Sequence, residues 1–331
     1  MKKRLSVIVP TYQCEDFLQE CVDSVLSQLP DDCELILADD GSEDVTLEML
    51  RAYTGRQSNL KTLYLPHGGA SSARNAGLAA AEGEYVTFLD CDDCLQPGFL
   101  QPALQLAERN ADLLIFGIEW MPLSGEKEEW TLRNRVFPGI SDFADEYIRT
   151  RASLIYSNCN KFYRRSILNK LSLRFQTDVS FGEDRLFNYS YLQGCETVQT
   201  SSLLMLRYIQ RKEESMSTRH VPCYFRQAML LHKAKTDCFL SLSEGTTEEE
   251  QRHFKACDLA AEIAQTVRRF PSHPEEEEEN MPEVNELIFR LLPVEPLKKE
   301  LAACGIENPD CWYQTQEGQS VVLSQIREAV L

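Results

Sequence analysis

Glu84-Tyr-Val-Thr-Phe-Leu-Asp-Cys-Asp-Asp-Cys-Leu-Gln-Pro97 is the stretch whose reading decides the fold. Tyr85 to Leu89 is a short run of mostly apolar strand formers, the length of one buried strand. It ends in three carboxylates, Asp90, Asp92 and Asp93, and Pro97 opens a helix. Open α/β sheets keep their ligands just beyond the C-terminal ends of their strands. Three negative charges within four residues repel one another unless a cation or water screens them, so a hard divalent metal carrying phosphate oxygens suits the place. An acidic turn that caps the next helix accounts for the same residues without a ligand. An EF-hand loop does not, because Cys94 and Leu95 stand where a ligand and the turn glycine are needed.

On the N-terminal side, short apolar runs alternate with helical periodicity. Leu5 to Val9 reads as a first strand, followed by an amphipathic helix from Glu15 to Leu29 with Phe17, Leu18, Cys21, Val22, Val25 and Leu26 on its apolar face. Glu34 to Ala38 is a second strand and ends in Asp39-Asp-Gly-Ser42; a helix from Glu43 to Thr54 follows. Leu60 to Leu65 is a third strand, and Gly68 and Gly69 turn the chain into a small-residue helix that ends at Ala81. On the C-terminal side come a helix from Pro97 to Arg109 and a strand from Asp112 to Glu119. Such alternation specifies a parallel sheet built by right-handed crossovers. A crevice at a switch in strand order would bring Thr11-Tyr12, Asp39-Asp40 and Asp90-Cys-Asp92 together.

Residues 121–140 read as a connecting loop at the sheet's edge, and Ser157 to Tyr208 as a mixed region with an apolar strand around Leu203 to Tyr208. Beyond about Thr218 the pattern turns helical, over Tyr224–Leu242, Glu248–Phe270 and shorter segments between Glu283 and Leu331. The acidic run Glu275–Glu279 between prolines reads as a solvated linker. The reading therefore divides the chain into an α/β domain, 1–217, which the resemblance described below makes the catalytic one, and a helical region, 218–331.

A formal net charge of −18 over 331 residues argues against nucleic acid as a partner, since phosphate binding needs clustered Lys and Arg. The N-terminal Met1-Lys-Lys-Arg-Leu-Ser-Val-Ile-Val-Pro10 imitates a signal peptide, but its apolar part is too short and stops at Pro10. No apolar run approaches the length of a membrane span. The expected location is the cytoplasm, at most peripheral on the inner membrane face. Twelve scattered cysteines in such a chain read as reduced, buried small hydrophobes, and Cys91-Asp-Asp-Cys94 lacks the second pair that a zinc site needs. No GxGxxG is present, which disfavours a dinucleotide-binding domain.

Five stretches in order carry a resemblance: Val7-Ile-Val-Pro-Thr-Tyr12, Ala38-Asp-Asp-Gly-Ser42, Gly69-Ala-Ser-Ser-Ala-Arg-Asn-Ala-Gly77, Gly83-Glu-Tyr-Val-Thr-Phe-Leu-Asp-Cys-Asp-Asp93 and Gly182-Glu-Asp184. Over residues 4–217 the chain resembles the family 2 inverting, nucleotide-sugar-dependent glycosyltransferases. The resemblance implies a GT-A fold, a Rossmann-like mixed, mainly parallel sheet flanked by helices, here followed by the helical C-terminal region.

It also implies a metal-dependent transfer of a hexose or N-acetylhexosamine from a UDP-sugar to a glycan or lipid-linked saccharide, as in bacterial surface polysaccharide synthesis. In the family's DxD motif the positions of Asp90 and Asp92 serve nucleotide and metal, so Asp92 is expected to bind Mn²⁺ or Mg²⁺, with Asp90 at the ribose or a metal-bound water. Asp40 corresponds to the aspartate that accepts the uracil imide hydrogen, which suits a group that only accepts at neutral pH. The resemblance has Tyr12 stack on the base, Pro10 shape the floor and Arg74 face the nucleotide and diphosphate. His67 stands where members commonly have Asn. Asp184 corresponds to the general base and Glu183 to an acceptor-binding residue. Lys161, Arg211 and Ser215-Met-Ser217 resemble elements that close over the diphosphate.

The residues alone keep a turn-and-cap reading of Asp39–Ser42 open, as well as helix-cap readings of Asp93 and Asp184. Two other functions compete with transfer. A nucleotidyltransferase would carry a glycine-rich basic loop after the first strand, where Pro10-Thr-Tyr-Gln-Cys14 stands instead. A catalytically silent nucleotide-sugar-binding protein would have no need of both Asp92 and Asp184. The C-terminal helices are expected to pack on the catalytic domain or on a second copy of the chain.

Overall fold

The computed structural model describes residues 2–55, 57–151, 154–179, 181–211 and 220–269. Ser215–Ser217, the 217/218 boundary, the acidic linker and the helices expected from Glu283 onward lie outside the described residues. The chain divides into two compact units, Met1–Phe143 with Ala152–Ser215, and Ala144–Arg151 with Met216–Leu331.

The first unit opens with Leu5–Thr11 (β1), Leu18–Leu26 (α1), Cys33–Asp39 (β2), Thr46–Tyr53 (α2), Leu60–Tyr64 (β3) and Ala70–Ala80 (α3). Tyr85–Phe88 (β4), Cys94–Leu95 (β5), Leu100–Ala107 (α4) and Leu113–Met121 (β6) follow, then Glu128–Trp130 (β7), Arg135–Phe137 (β8) and the start of Ile140–Thr150 (α5). Lys161–Arg164 (β9), Arg165–Lys170 (α6), Glu183–Leu192 (α7) and Val198–Ile209 (β10) complete it. The sheet runs β3-β2-β1-β4-β9-β6-β10-β5, with β7 against β6 and β8 against β10. β1 pairs in parallel with β2 on one side and β4 on the other, so the strand order reverses at β1. β9 lies antiparallel between β4 and β6, which makes the sheet mixed.

The sequence pattern explains the parallel half. β1 and β2 are buried along their whole length, as strands covered on both faces must be. The small residues of α3 let it lie close on the sheet: a methyl added at Gly77 would come within 2.4 Å of the Ile8 side chain. Aromatic side chains fill the space below the strand ends. The Phe175 and Phe187 rings stack at 4.0 Å, and Phe88 meets them edge-on at 5.1 and 5.9 Å.

Three departures from the sequence reading have local causes. The stretch 121–140 contains two short strands; β7 is exposed throughout and shows no buried face that a hydropathy pattern could reveal. β10 begins at Val198 because Gln199, Thr200 and Ser201 are buried polar residues, invisible to an apolar count. The helix expected at Pro97 begins at Leu100, after a turn in which the Phe99 N–H donates to the Gln96 carbonyl.

The second unit contains the end of α5, Tyr224–Leu242 (α8) and Glu248–Arg269 (α9). Tyr147 stacks on Phe239 at 3.8 Å, and Arg149 pairs with Glu250 at 2.8 Å. Buried Lys235 of α8 pairs with Asp258 of α9, which also holds His232 Nδ1 at 2.6 Å. None of the described helices is long and apolar enough to cross a membrane.

Candidate active site

The ends of β1, β2 and β4 meet at the strand-order switch, and the aspartates that follow β2 take different tasks. Asp39 closes its own turn: one oxygen accepts from Ser42 Oγ at 2.6 Å, the other from the Ser42 N–H at 3.1 Å. Asp40, only 2% exposed, reaches across to the loop before α3. Its two oxygens accept the backbone N–H groups of Gly68 at 2.9 Å and Gly69 at 2.8 Å. His67 Nδ1 lies 2.9 Å from the same carboxylate and 3.0 Å from the Asp40 carbonyl, so this nitrogen must carry the proton. The approach is close enough to require glycine at Gly41, where φ is +78° and a methyl would come within 2.9 Å of the His67 backbone nitrogen. His67 also stacks on Tyr12, with centroids 4.5 Å apart. Pro10 lies buried in β1, opposite Ala38.

The three aspartates after β4 also separate. Asp90 accepts from Arg74 Nη2 at 2.8 Å. Asp93, buried, accepts the Ile209 N–H at 2.9 Å and so pins the end of β10 to the turn, in place of capping the helix that follows. Burial, with Asp92 and Asp90 adding repulsion, pushes its pKa well above the usual carboxylate range. Asp92 accepts no hydrogen bond and forms no ion pair with another described residue. Burial and then Asp90 push its pKa up. Arg211 reaches the turn through the backbone: Nε donates to the Asp92 carbonyl at 3.0 Å and Nη2 pairs with Glu20 at 3.0 Å.

Arg74 joins this turn to the start of α7. Its second terminal nitrogen lies 3.2 Å from Glu183, and the guanidinium sits 5.5 Å from the centre of the Phe175 ring. Burial works against its charge, but the Asp90 and Glu183 carboxylates outweigh that and raise its pKa. Asp184 follows Glu183 in the first turn of α7, where Gly182 in the left-handed region starts the helix. One of its oxygens accepts the Arg185 N–H at 2.7 Å. Part of its surface stays open, but protein surrounds most of it; burial, then Glu183, pushes its pKa up to about 6.

The sequence model of glycosyl transferase family 2 matches residues 6–172, half of the chain. The chain belongs to this family. It is 34% identical over 201 residues to the uncharacterized glycosyltransferase EpsJ of Bacillus subtilis, covering 59% of this chain and 58% of the relative. It is also 34% identical over 199 residues to the poly(ribitol-phosphate) beta-N-acetylglucosaminyltransferase TarP of Staphylococcus aureus, covering 58% of each. The chain thus spans little more than half the length of these curated relatives. The fold matches the crystal structure of S. aureus TarS 1–349 in complex with UDP-GlcNAc with a TM-score of 0.64 at 21% identity, over 98% of this chain and 90% of that one.

Within this family 2 domain, Pro10, Tyr12, Asp40, Asp90 and Asp92 lie at or just beyond the adjacent ends of β1, β2 and β4, and Arg74 ties Asp90 to Glu183; Lys161 makes none of these contacts. Its amine is fully buried and donates to the Leu154 carbonyl at 2.7 Å, to Asn160 Oδ1 at 2.7 Å and to the Ser157 carbonyl. With all three N–H bonds directed into its own loop, it has none left for a diphosphate. Asn160 and Asn188, two buried side chains that grip the same loop, escaped the sequence reading. Both lie in the stretch from Ser157 to Tyr208 that reads as a mixed region, where a lone Asn gives no signal.

Proposed function

We propose that this family 2 domain transfers a hexose or N-acetylhexosamine from a UDP-sugar to a saccharide or lipid-linked saccharide, with inversion at the anomeric carbon. The observation that carries the reading is the path Asp90–Arg74–Glu183, at 2.8 and 3.2 Å, which ties the turn after β4 to the carboxylates that open α7. A donor held at the first end therefore lies beside a base at the second. The UDP-GlcNAc in the matched TarS structure supports a UDP-sugar as donor, and the N-acetylglucosaminyl transfer in TarP's name supports an N-acetylhexosamine among the sugars transferred. We place the reaction in the cytoplasm, at most on the inner membrane face.

In the proposed mechanism, Asp184 takes the proton of the attacking hydroxyl as that oxygen bonds to the anomeric carbon. The bond from that carbon to the diphosphate oxygen breaks on the opposite face, and the electron pair leaves with UDP. A carboxyl poised at about 6 is ionised at neutral pH yet basic enough to accept a proton in the transition state. Glu183, oriented by Arg74, binds acceptor hydroxyls. Pro10, Tyr12, Asp40 and His67 form the nucleoside side of the crevice, and Arg211 the diphosphate side.

The site fits a divalent cation. Asp92 is a partly buried carboxylate with no ion pair to another described residue, and the charges of Arg211 and Arg74 do not outweigh its burial and the repulsion of Asp90. Asp92, with Asp90 beside it, would hold Mn²⁺ or Mg²⁺, hard cations that take oxygen ligands; the described residues contain no group of three or more His, Cys, Asp or Glu that could hold the ion. When bound, such an ion neutralises the charge that develops on the leaving diphosphate. Screening UDP-sugars for metal-dependent turnover, with NMR of the product, tests the reading. A β-linked product from an α-linked donor is expected; an α-linked product would refute inversion.

A further inference from the structure

Within the first unit, a cavity of about 490 Å³ opens between α4, β8 and the first half of β10. β10 runs parallel to β6, and antiparallel β9 makes β6 parallel to β4, so the start of β10 lies at the end of the sheet away from the crevice. The strand from Thr200 to Ile209, whose last N–H meets Asp93, puts roughly 25 Å between the two places. The backbone leaves regular pairing where the cavity opens. Thr200 of β10 stands opposite Ile115 of β6 and Leu204 opposite Gly117, so Ser201–Leu203 bulge out of the ladder. Asn134 braces the bulge: its Oδ1 accepts the Ser202 N–H at 2.9 Å, and its Nδ2 donates to Ser202 Oγ at 3.0 Å.

The lining runs against the composition of the chain. Asp and Glu outnumber Lys and Arg by 52 to 34, yet among the described residues Arg109 and Arg135 line the cavity and no carboxylate does. Arg109 is exposed just past the end of α4 and forms no ion pair with another described residue. A cation after a helix suits the carbonyl end of its dipole, which accounts for one arginine but not for a second on a separate element. That second guanidinium, of Arg135, sits 4.6 Å from the centre of the Phe137 ring. Gln199 supplies an independent sign of a ligand. It is 4% exposed, it lines the cavity, and its Oε1 is buried with no hydrogen-bond donor among the described residues. A buried acceptor is costly to leave unpaired. A half-turn of the amide exchanges its two ends, so a ligand hydroxyl, donor and acceptor at once, can pair with whichever end faces it. Guanidinium groups select a phosphate or a carboxylate, and Ser201 and Ser202 add hydroxyls. No aromatic ring among the described residues lines the cavity to stack a nucleobase. The volume falls in the range of small-molecule clefts, about 300–1,000 Å³.

We propose that this cavity is a second binding site, separate from the crevice, for a sugar or polyol that carries a phosphate or carboxylate group. The anionic group lies between Arg109 and Arg135, and the hydroxyls meet Gln199 and the bulge at Ser201 and Ser202. The site stands on its own lining and does not depend on transfer in the crevice.

The test is calorimetric titration of the whole chain with glucose 6-phosphate, glucuronate, inorganic phosphate and glucose, each with and without excess UDP. At least one of the two sugar anions should bind, and the tighter of them identifies the anionic group as phosphate or carboxylate. Glucose should not bind, inorganic phosphate should bind more weakly than the preferred sugar anion, and UDP should displace neither anion. Arg109→Gln, a change at an exposed position, should lower the affinity for the sugar anion about tenfold or more, the scale of a hydrogen bond to a charged group. Gln199→Leu should lower that affinity several-fold and leave inorganic phosphate unaffected; if this variant does not fold, Arg109→Gln decides alone. Undiminished binding in Arg109→Gln, or binding that UDP abolishes, would place the ligand elsewhere and overturn the proposal. So would the absence of binding by both sugar anions at millimolar concentration, or inorganic phosphate bound as tightly as the sugar anion, which would leave only a basic patch.

Discussion

The two sides of the crevice balance their charges differently. On the proposed donor side, hydroxyl and backbone donors hold Asp39, backbone N–H groups hold Asp40 and Arg74 holds Asp90, while Asp92 forms no ion pair with another described residue and has only the more distant charges of Arg211 and Arg74 to offset its burial. On the acceptor side the chain supplies its own partners: Glu183 has Arg74, and Asp184 lies within reach of the charges on Arg185, Arg74 and Lys161. A carboxylate with no contacting cation among the described residues is consistent with a positive charge that arrives with the substrate. Carboxylates compensated from within suit a base whose ionisation has to be set before the acceptor arrives.

The contrast breaks first at Asp184. Asp184→Asn should lower turnover by about two to four orders of magnitude, the usual scale of general-base catalysis, with the donor KM nearly unchanged. In the wild type the base must be ionised, and its carboxyl titrates at about 6. Activity should therefore fall about tenfold per pH unit below 6 and level off above it, as the single protonation requires. An acid limb near pH 4 would show that Asp184 is not the titrating base. Next in size, Asp92→Asn should cost about a hundredfold or more, because the loss of a metal ligand removes several kcal/mol of charge stabilisation. Circular dichroism should be unchanged, and excess chelator should silence the wild type; full turnover in chelator would sink the metal reading.

Arg74 belongs to both sides, so its removal should register in stability as well as activity. Arg74→Met leaves Asp90 and Glu183 without their shared cation. For a fully buried pair such a loss costs about 3–5 kcal/mol, but Asp90 is more than a third exposed, so about 2 kcal/mol is the expected fall in unfolding free energy. Arg74→Lys keeps the charge but lacks the planar fork that reaches both carboxylates, and should fall between the two. Denaturant midpoints measure both variants; wild-type stability in Arg74→Met would show that the bridge is incidental.

How much of this the sequence carried depends on what each residue touches. β1, β2 and β4 were legible because strands buried on both faces read as continuous apolar runs. Asp40, Asp90, Asp92 and Asp184 were legible as candidates because carboxylates at strand ends and helix starts occur in recognisable patterns. Their partners were not: Arg74 to Glu183 spans 109 positions, and no local pattern encodes a contact of that range. Lys161 was misplaced for a related reason. A lysine in a polar-aromatic run is expected at the surface, and only the carbonyls of Leu154 and Ser157 turning inward explain its burial. The strand at Glu128 was missed because it is exposed throughout and shows no apolar face, and the strand at Arg135 because it is three residues long and buries only Phe137.

The smallest expected effect is at His67, and it separates two accounts of the nucleoside side. If His67 mainly braces Asp40 and Tyr12, His67→Ala should cost about 0.5–1 kcal/mol, the low end for a stacked aromatic pair, since the ring is 60% exposed. The Gly68 and Gly69 N–H groups still hold Asp40 in that variant, so the donor KM should rise no more than about threefold, well under the 1 kcal/mol that a net hydrogen bond contributes. His67→Asn should restore the donor KM, because an amide nitrogen can donate to the same carboxylate, but not the stability lost with the stack, since asparagine has no ring to lie on Tyr12. Thermal midpoints and donor KM measured on both variants check this. A donor KM more than tenfold higher in His67→Ala, without recovery in His67→Asn, would mean that the imidazole touches the donor itself. The Tyr12–His67 stack would then be a lining of the nucleoside pocket instead of a brace behind it.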